Sequence, residues 1–412
     1  MASLANARDS SRICRMCGFT LIELMIAMVL GLMVSGGIYM IFATGSRVTS
    51  TQIALARLQE NGRVAIDLVA ADLRLAGRMP CGAQLPTNVF AEDLAAHIVG
   101  APSNASTPGE TKGTEPYRLD RGIFLNGNVC VGTRCTPAIA TALNVPRAGL
   151  ATGDKVPGTE VLTVRYVQGD GASATTSSFS GVCSGEDDPV VSIALLGSTT
   201  PVVAPGHLAL LASCTSEQIF AVDGAAVSVQ PVQSHRGKPK CSEVGPQSRL
   251  FDLDEQLRTV SYYLQVVADE STASRKIATL MRRNNGVVNE VVQGVERFDL
   301  RYSMRDVDGH AYWLDAQEVD KGALGDATLL CNRSAIHRCS WSDVDAVDVA
   351  MLLNTVEDVP SEGDASAWSY RYSPDSDAMQ VPPTKMSATG LASGRMLRRE
   401  FRTVVALRNL SS

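Results

Sequence analysis

At 412 residues the chain is long enough for a substantial core and for more than one folded unit. It is 45% hydrophobic, as ordinary globular proteins are, and 43 acidic against 37 basic residues leave a net charge of -6. An acidic body speaks against nucleic acid as the main partner, and the one local basic cluster, Arg395, Arg398, Arg399 and Arg402, reads first as a solvated strand face.

Residues 1–18 form a short basic segment, with Arg8, Arg12 and Arg15 against Asp9. An apolar run follows, "GFTLIELMIAMVLGLMVSGGIYMIFATG", and no charge occurs from Leu24 to Ser46. That is long enough to cross a bilayer, which takes roughly 20 apolar residues. Arginines ahead of the run predict a cytoplasmic N-terminus and an exported body. Gly31, Ser35, Gly36 and Gly37 interrupt the run without forming a clean small-x-small cleavage site. Glu23 is the anomaly, a carboxylate at the start of a span, where an edge position lowers an otherwise high cost.

The order of these features resembles the class III signal of type IV pilins and of type II secretion pseudopilins: a basic leader ending in Gly18, then Phe19, Thr20, Leu21, Ile22 and Glu23, then the span. The resemblance implies that a prepilin peptidase cuts between Gly18 and Phe19 and methylates the new amine of Phe19. It implies too that Glu23 pairs with the N-terminal amine of a neighbouring subunit, and burying those two charges together costs far less than burying either alone. Cys14 and Cys17 fall in the segment to be removed and carry little weight.

Beyond the span, Leu55, Leu58, Gly62, Ala65, Val69, Leu73 and Ala76 recur at steps of three and four, which is helical. Arg57, Glu60, Arg63, Asp67 and Arg74 lie opposite, with Glu60–Arg63 and Arg63–Asp67 spaced to pair. Gly77 and Pro80 mark the stop. One helix from Phe19 to about Ala76 would be roughly 85–90 Å long at 1.5 Å per residue. The stretch "LARLQENGRVAIDLVAADLRLAGRMPCG", 55–82, resembles the PilW-type minor pilins, as do "VQGVERFDLRYSM" and "EFRTVVALRN". The chain then reads as a cleaved leader (1–18), a transmembrane or fibre-core helix (19–46), its amphipathic continuation (47–77) and an exported β-rich domain (78–412).

Period two takes over in that last segment. Leu162, Val164 and Tyr166 alternate with Thr163 and Arg165. Val260, Tyr262, Leu264 and Val266 share a face, as do Phe401, Thr403, Val405 and Leu407. Further strands are predicted near 121–126, 190–196, 207–212, 217–222, 277–282, 287–292, 297–303 and 346–353, with loops at 100–116 and 360–395. The expected fold is α+β: a long N-terminal helix packed on a mostly antiparallel sheet domain with long loops. Eight cysteines follow the span, Cys81, Cys130, Cys135, Cys183, Cys214, Cys241, Cys331 and Cys339. An even count in an exported body suits disulfides, and the short spacings 130–135 and 331–339 suit local loops.

No catalytic constellation is visible: G-x-S-x-G, H-E-x-x-H and the P-loop are absent, and His97, His207, His235, His310 and His337 are scattered. "DVDGHAYWLD" opens like a calcium loop at Asp306, Asp308 and Gly309, but Gln317 stands where the ligating glutamate belongs, so an Asp-Gly turn is the better reading. Neither cofactor nor metal is expected. The resemblance implies a non-enzymatic assembly subunit with other minor pilins, the major pilin, prepilin peptidase, the inner membrane and a tip adhesin as partners. It would sit in the inner membrane with a periplasmic body before assembly, and at the pilus tip afterwards. The alternatives are a pseudopilin of the bulky tip class and a competence minor pilin that binds DNA through the arginines near 395–402.

Overall fold

The structure is a computed structural model that describes residues 20–78, 123–173, 193–194, 203–212, 217–223, 228–231, 248–269, 275–331, 337–359, 368–380, 391 and 395–409. The chain divides into two compact units, Met1–Ile53 and Ala54–Ser412, a boundary seven residues beyond the one expected from the charge pattern. One helix, Leu21–Leu75, contributes to both.

In the first unit the helix exposes its side chains almost throughout, from Leu21 to Phe42, and it is long and apolar enough to cross a membrane. In the second unit the same helix turns amphipathic. Leu58, Gly62, Ala65, Val69, Ala70, Asp72 and Leu73 are buried, while Arg63 and Asp67 pair on the outer face at 3.5 Å. The helix stops because Gly77 adopts a left-handed backbone (φ 65°), which an L side chain rarely takes, and its amide turns away to the carbonyl of Arg165.

Among the described residues, three larger antiparallel sheets and three two-stranded ones build the second unit. A six-stranded sheet runs, in spatial order, Val287–Gln293, Lys276–Asn284, Leu257–Ala268, Val161–Val167, Leu125–Val131 and Arg134–Thr136. A four-stranded sheet runs Ala311–Leu314, Val295–Arg305, Val344–Asn354 and Arg398–Ala406. A third, of shorter strands, has Leu208–Ala212 paired with Arg249–Asp252 and Glu217–Asp223. Apolar residues of the helix and of the first two sheets share one core, including Leu58, Val69, Leu73, Val164, Tyr262, Phe298 and Met351. The fold is the expected α+β arrangement.

Glu160 joins the first two sheets. Strand Ala311–Leu314 covers Val295–Arg305 only from Tyr302 onward. Where that cover ends, the Glu160 amide donates to the carbonyl of Phe298 and its carboxylate accepts from the amide of Leu300 at 2.9 Å, so a side chain completes the edge.

Most of the expected strands are present, but that near 121–126 is Leu125–Val131, and only 193–194 of that near 190–196 lie among the described residues; two further corrections concern burial and a loop. Val161–Val167 is buried on both faces rather than half-exposed. Thr163 meets the hydroxyl of Ser261 at 3.1 Å, and Arg165 donates to the carbonyl of Ile123, so its polar residues find partners inside. Within the expected loop 360–395 lies a hairpin, Tyr370–Tyr372 with Ser376–Gln380, whose Tyr372 is fully buried over Ala350 and Leu352. The expected loop at 100–116 lies outside the described residues.

Candidate functional site

Of the processing and assembly residues, Gly18 and Phe19 lie outside the described residues and Glu23 lies within them. Glu23 is exposed and in the first turn of the helix. Its Oε2 accepts from the amide and the hydroxyl of Thr20, both at 2.9 Å, and the Glu23 amide donates back to the Thr20 hydroxyl at 3.3 Å. Thr20-Leu21-Ile22-Glu23 is thus a capping box, in which two otherwise orphaned donors are satisfied reciprocally. The T-x-x-E spacing was available in the sequence and gives Glu23 a local role within its own chain. Its carboxylate stands at the positive end of the helix dipole, a position that favours an anion.

The second feature went unread. Asp72 is 4% exposed on the helix face that packs on the six-stranded sheet. Its carboxylate accepts from Tyr166 at 3.1 Å, from the hydroxyl of Tyr262, and from both Nε (2.8 Å) and Nη2 (3.2 Å) of Arg282. The three donors stand on three adjacent strands. Burial and the neighbouring Asp72 charge push the Tyr166 phenol up to about 12 and raise Tyr262 further, so both remain proton donors. The hydrogen bond to Asp72 holds the Arg282 guanidinium above its ordinary value. The signal in the sequence was position: Asp72 falls three residues after Val69 and four before Ala76, inside the apolar stripe.

Gly62 marks the contact with the other sheet. A Cβ there would overlap the ring of Phe401, on the edge strand Arg398–Ala406. Asn409, just past that strand, donates to the carbonyls of Arg74 and Ala76 at 3.2 Å and satisfies two acceptors at the helix end. The stretches quoted around Gly62, Asp72 and Asn409 are therefore in contact with one another.

The arginines near 395–402 are partly engaged within the domain. Arg398 lies 2% exposed and pairs with Glu296 at 2.8 Å. Arg402 grips Asp348 through Nε and Nη2. Arg399 packs its guanidinium over Phe401 at 5.8 Å. Two of the four cations are thus paired with carboxylates across the sheet.

Among the described cysteines, Cys130–Cys135 and Cys331–Cys339 form disulfides. Cys81, Cys183, Cys214 and Cys241 lie outside the described residues, as do Cys14 and Cys17. His337, beside the second bridge, faces Asp343 at 3.1 Å. The calcium-like stretch is a turn between strands. Asp306 accepts from the amides of Asp308 and His310, from the His310 ring and from the Tyr312 hydroxyl, and Gly309 takes φ 88°. Asp315 and Glu318 form the capping box of helix Ala316–Lys321. A second cluster, His207, Asp252 and Asp254, is likewise engaged: Asp252 caps the turn Leu253–Gln256 and meets His207 at 2.8 Å, and Asp254 accepts from the amide of Leu208.

An exposed apolar helix thus continues as a buried amphipathic one on an antiparallel sheet domain. Comparison with known families is more specific. Residues 14–39 match the model of the prokaryotic N-terminal methylation motif, and residues 261–409 match that of type IV pilus-assembly protein W. The chain is thus similar to type IV pilus-assembly proteins of the W type over 261–409 and to N-methylated prepilins over 14–39, segments that each span less than half of it. No curated protein matches the chain in sequence. Among solved structures, a type IV-like pilin from Thermus thermophilus aligns at 16% identity over 51% of this chain and 87% of that one, with a TM-score of 0.20, too slight a likeness to carry an argument.

Proposed function

We propose that this chain is a minor pilin that helps prime polymerisation of the type IV pilus and takes a place in the tip complex, without enzymatic activity. The single observation that carries the reading is the change of environment along one helix. Its apolar part, Leu21–Phe42, is exposed among the described residues, whereas from Leu58 the same helix is core. A bare apolar helix needs lipid before assembly and other helices after it. On this reading the peptidase cuts between Gly18 and Phe19, Phe19 becomes the methylated N-terminus, and Glu23 exchanges part of its hydrogen bonding to Thr20 for the amine of a neighbour. The inner membrane holds the subunit before assembly, with the second unit in the periplasm. Other minor pilins, the major pilin and a tip adhesin are its partners.

The test is a deletion strain. Loss of this chain should reduce surface pili, re-expression should restore them, and the chain should appear in sheared pili at a small fraction of the major subunit. Normal piliation together with absence from the sheared fraction would refute the proposal.

A further inference from the structure

We infer that the axial register of the helix segment Ala54–Leu75 on its domain is fixed by two pins, a steric notch at Gly62 and a polar clamp at Asp72. The buried stripe otherwise consists of Leu58, Ala65, Val69, Ala70 and Leu73, small or aliphatic residues recurring at each turn. Hydrophobic attraction is non-directional. A slide of one turn, about 5.4 Å, would exchange one apolar residue for another along most of the stripe. Apolar burial therefore discriminates poorly between neighbouring registers.

The two pins discriminate sharply. One turn of slide in either direction places Leu58 or Ile66 under the Phe401 ring, where even the Cβ of an alanine at position 62 does not fit. The same slide brings Leu68 or Ala76 opposite Tyr166, Tyr262 and Arg282 and leaves a half-buried guanidinium without its carboxylate. A single buried polar residue sets register in coiled coils in the same way. At roughly 100° per residue, positions 62 and 72 are about 80° apart around the axis. They also meet different sheets: Phe401 is on the four-stranded sheet, and the Asp72 partners are on the six-stranded one. The pair thereby fixes rotation as well as translation.

Distance measurement tests this on the full-length chain in detergent, with spin labels carried by genetically encoded amino acids so that native cysteines stay untouched. Exposed Arg63 and Arg74 on the helix are each paired with exposed Glu290 on the sheet. The notch is removed by Phe401→Ala. The clamp is replaced by apolar residues in Asp72→Leu, Tyr166→Phe, Tyr262→Phe, Arg282→Met. The wild type and each one-pin variant should give a single narrow distance for each label pair. The chain lacking both pins should add a second population displaced by several ångströms, on the scale of a helical turn of about 5.4 Å. A folded two-pin-less chain with the wild-type distances would overturn the inference. Failure of that chain to fold would overturn it too, because the pins would then supply stability rather than register. A split already present in a one-pin variant would assign the register to the other residue alone.

Discussion

Lys155 is 1% exposed, and its ammonium is held by the carbonyls of Val156 (3.1 Å) and Thr159 (2.6 Å). Burial lowers its pKa from 10.5 to about 8, with the charge of Glu160 acting in the opposite sense. Between about pH 8 and 10.5 the folded chain has released this proton while the unfolded chain keeps it, so this group makes stability rise with pH across that window. The full effect is of order 3 kcal/mol, from the fall of the pKa to about 8 at ~1.4 kcal/mol per pH unit. Thermal unfolding at pH 7 and pH 9.5 should show the gain in the wild type and lose most of it in Lys155→Met; equal pH slopes in the two would contradict the assignment. Gly62 gives a second prediction at this scale. Alanine there gains roughly 1 kcal/mol of helix propensity, but overlap with Phe401 costs about 1–3 kcal/mol. Gly62→Ala should therefore lower the urea midpoint, and Phe401→Leu in the same chain should recover part of the loss.

At the scale of elements, the helix is tied to the six-stranded sheet by one carboxylate and three donors. Asp72→Ala leaves the Arg282 charge and two phenols without their acceptor. The expected cost is about 3–5 kcal/mol, since breaking a buried pair from one side strands the other charge. Chemical unfolding measures it, and a change under about 1 kcal/mol would show that water replaces the carboxylate without penalty. Much of this architecture was legible in advance. The helical stripe from Leu55 to Ala76 and the strand faces Val260–Val266 and Phe401–Leu407 follow directly from periodicity, because one apolar core rewards one face. What escaped has a common physical reason. Asp72, Thr163 and Arg165 are polar residues on buried faces, and a polar residue reads as exposed unless its partners are known. Those partners lie far away in sequence: Tyr262 and Arg282 for Asp72, and Ser261 for Thr163. The local partner of Glu23, Thr20, was legible as T-x-x-E spacing three residues away.

At the scale of the whole molecule, the chain combines an apolar helix exposed among the described residues with a domain in which several buried charges are paired across its sheets. Arg398 and Arg402 illustrate the second half: they bind Glu296 and Asp348 and so hold strand Arg398–Ala406 in place. Arg398→Ala should lower domain stability by about 1–3 kcal/mol, the cost of a lost charged hydrogen bond at a buried side chain. It should leave any salt-sensitive association with DNA unchanged; a selective loss of such binding in a stable variant would restore the competence reading. The central claim concerns the other half, that the apolar helix is the mature N-terminus of an assembly subunit. Intact-mass and N-terminal peptide mass spectrometry of the chain from its native membrane tests that claim most directly. The account predicts a mature chain that begins at N-methylated Phe19. A chain that keeps residues 1–18, or is cut beyond the span, would contradict it.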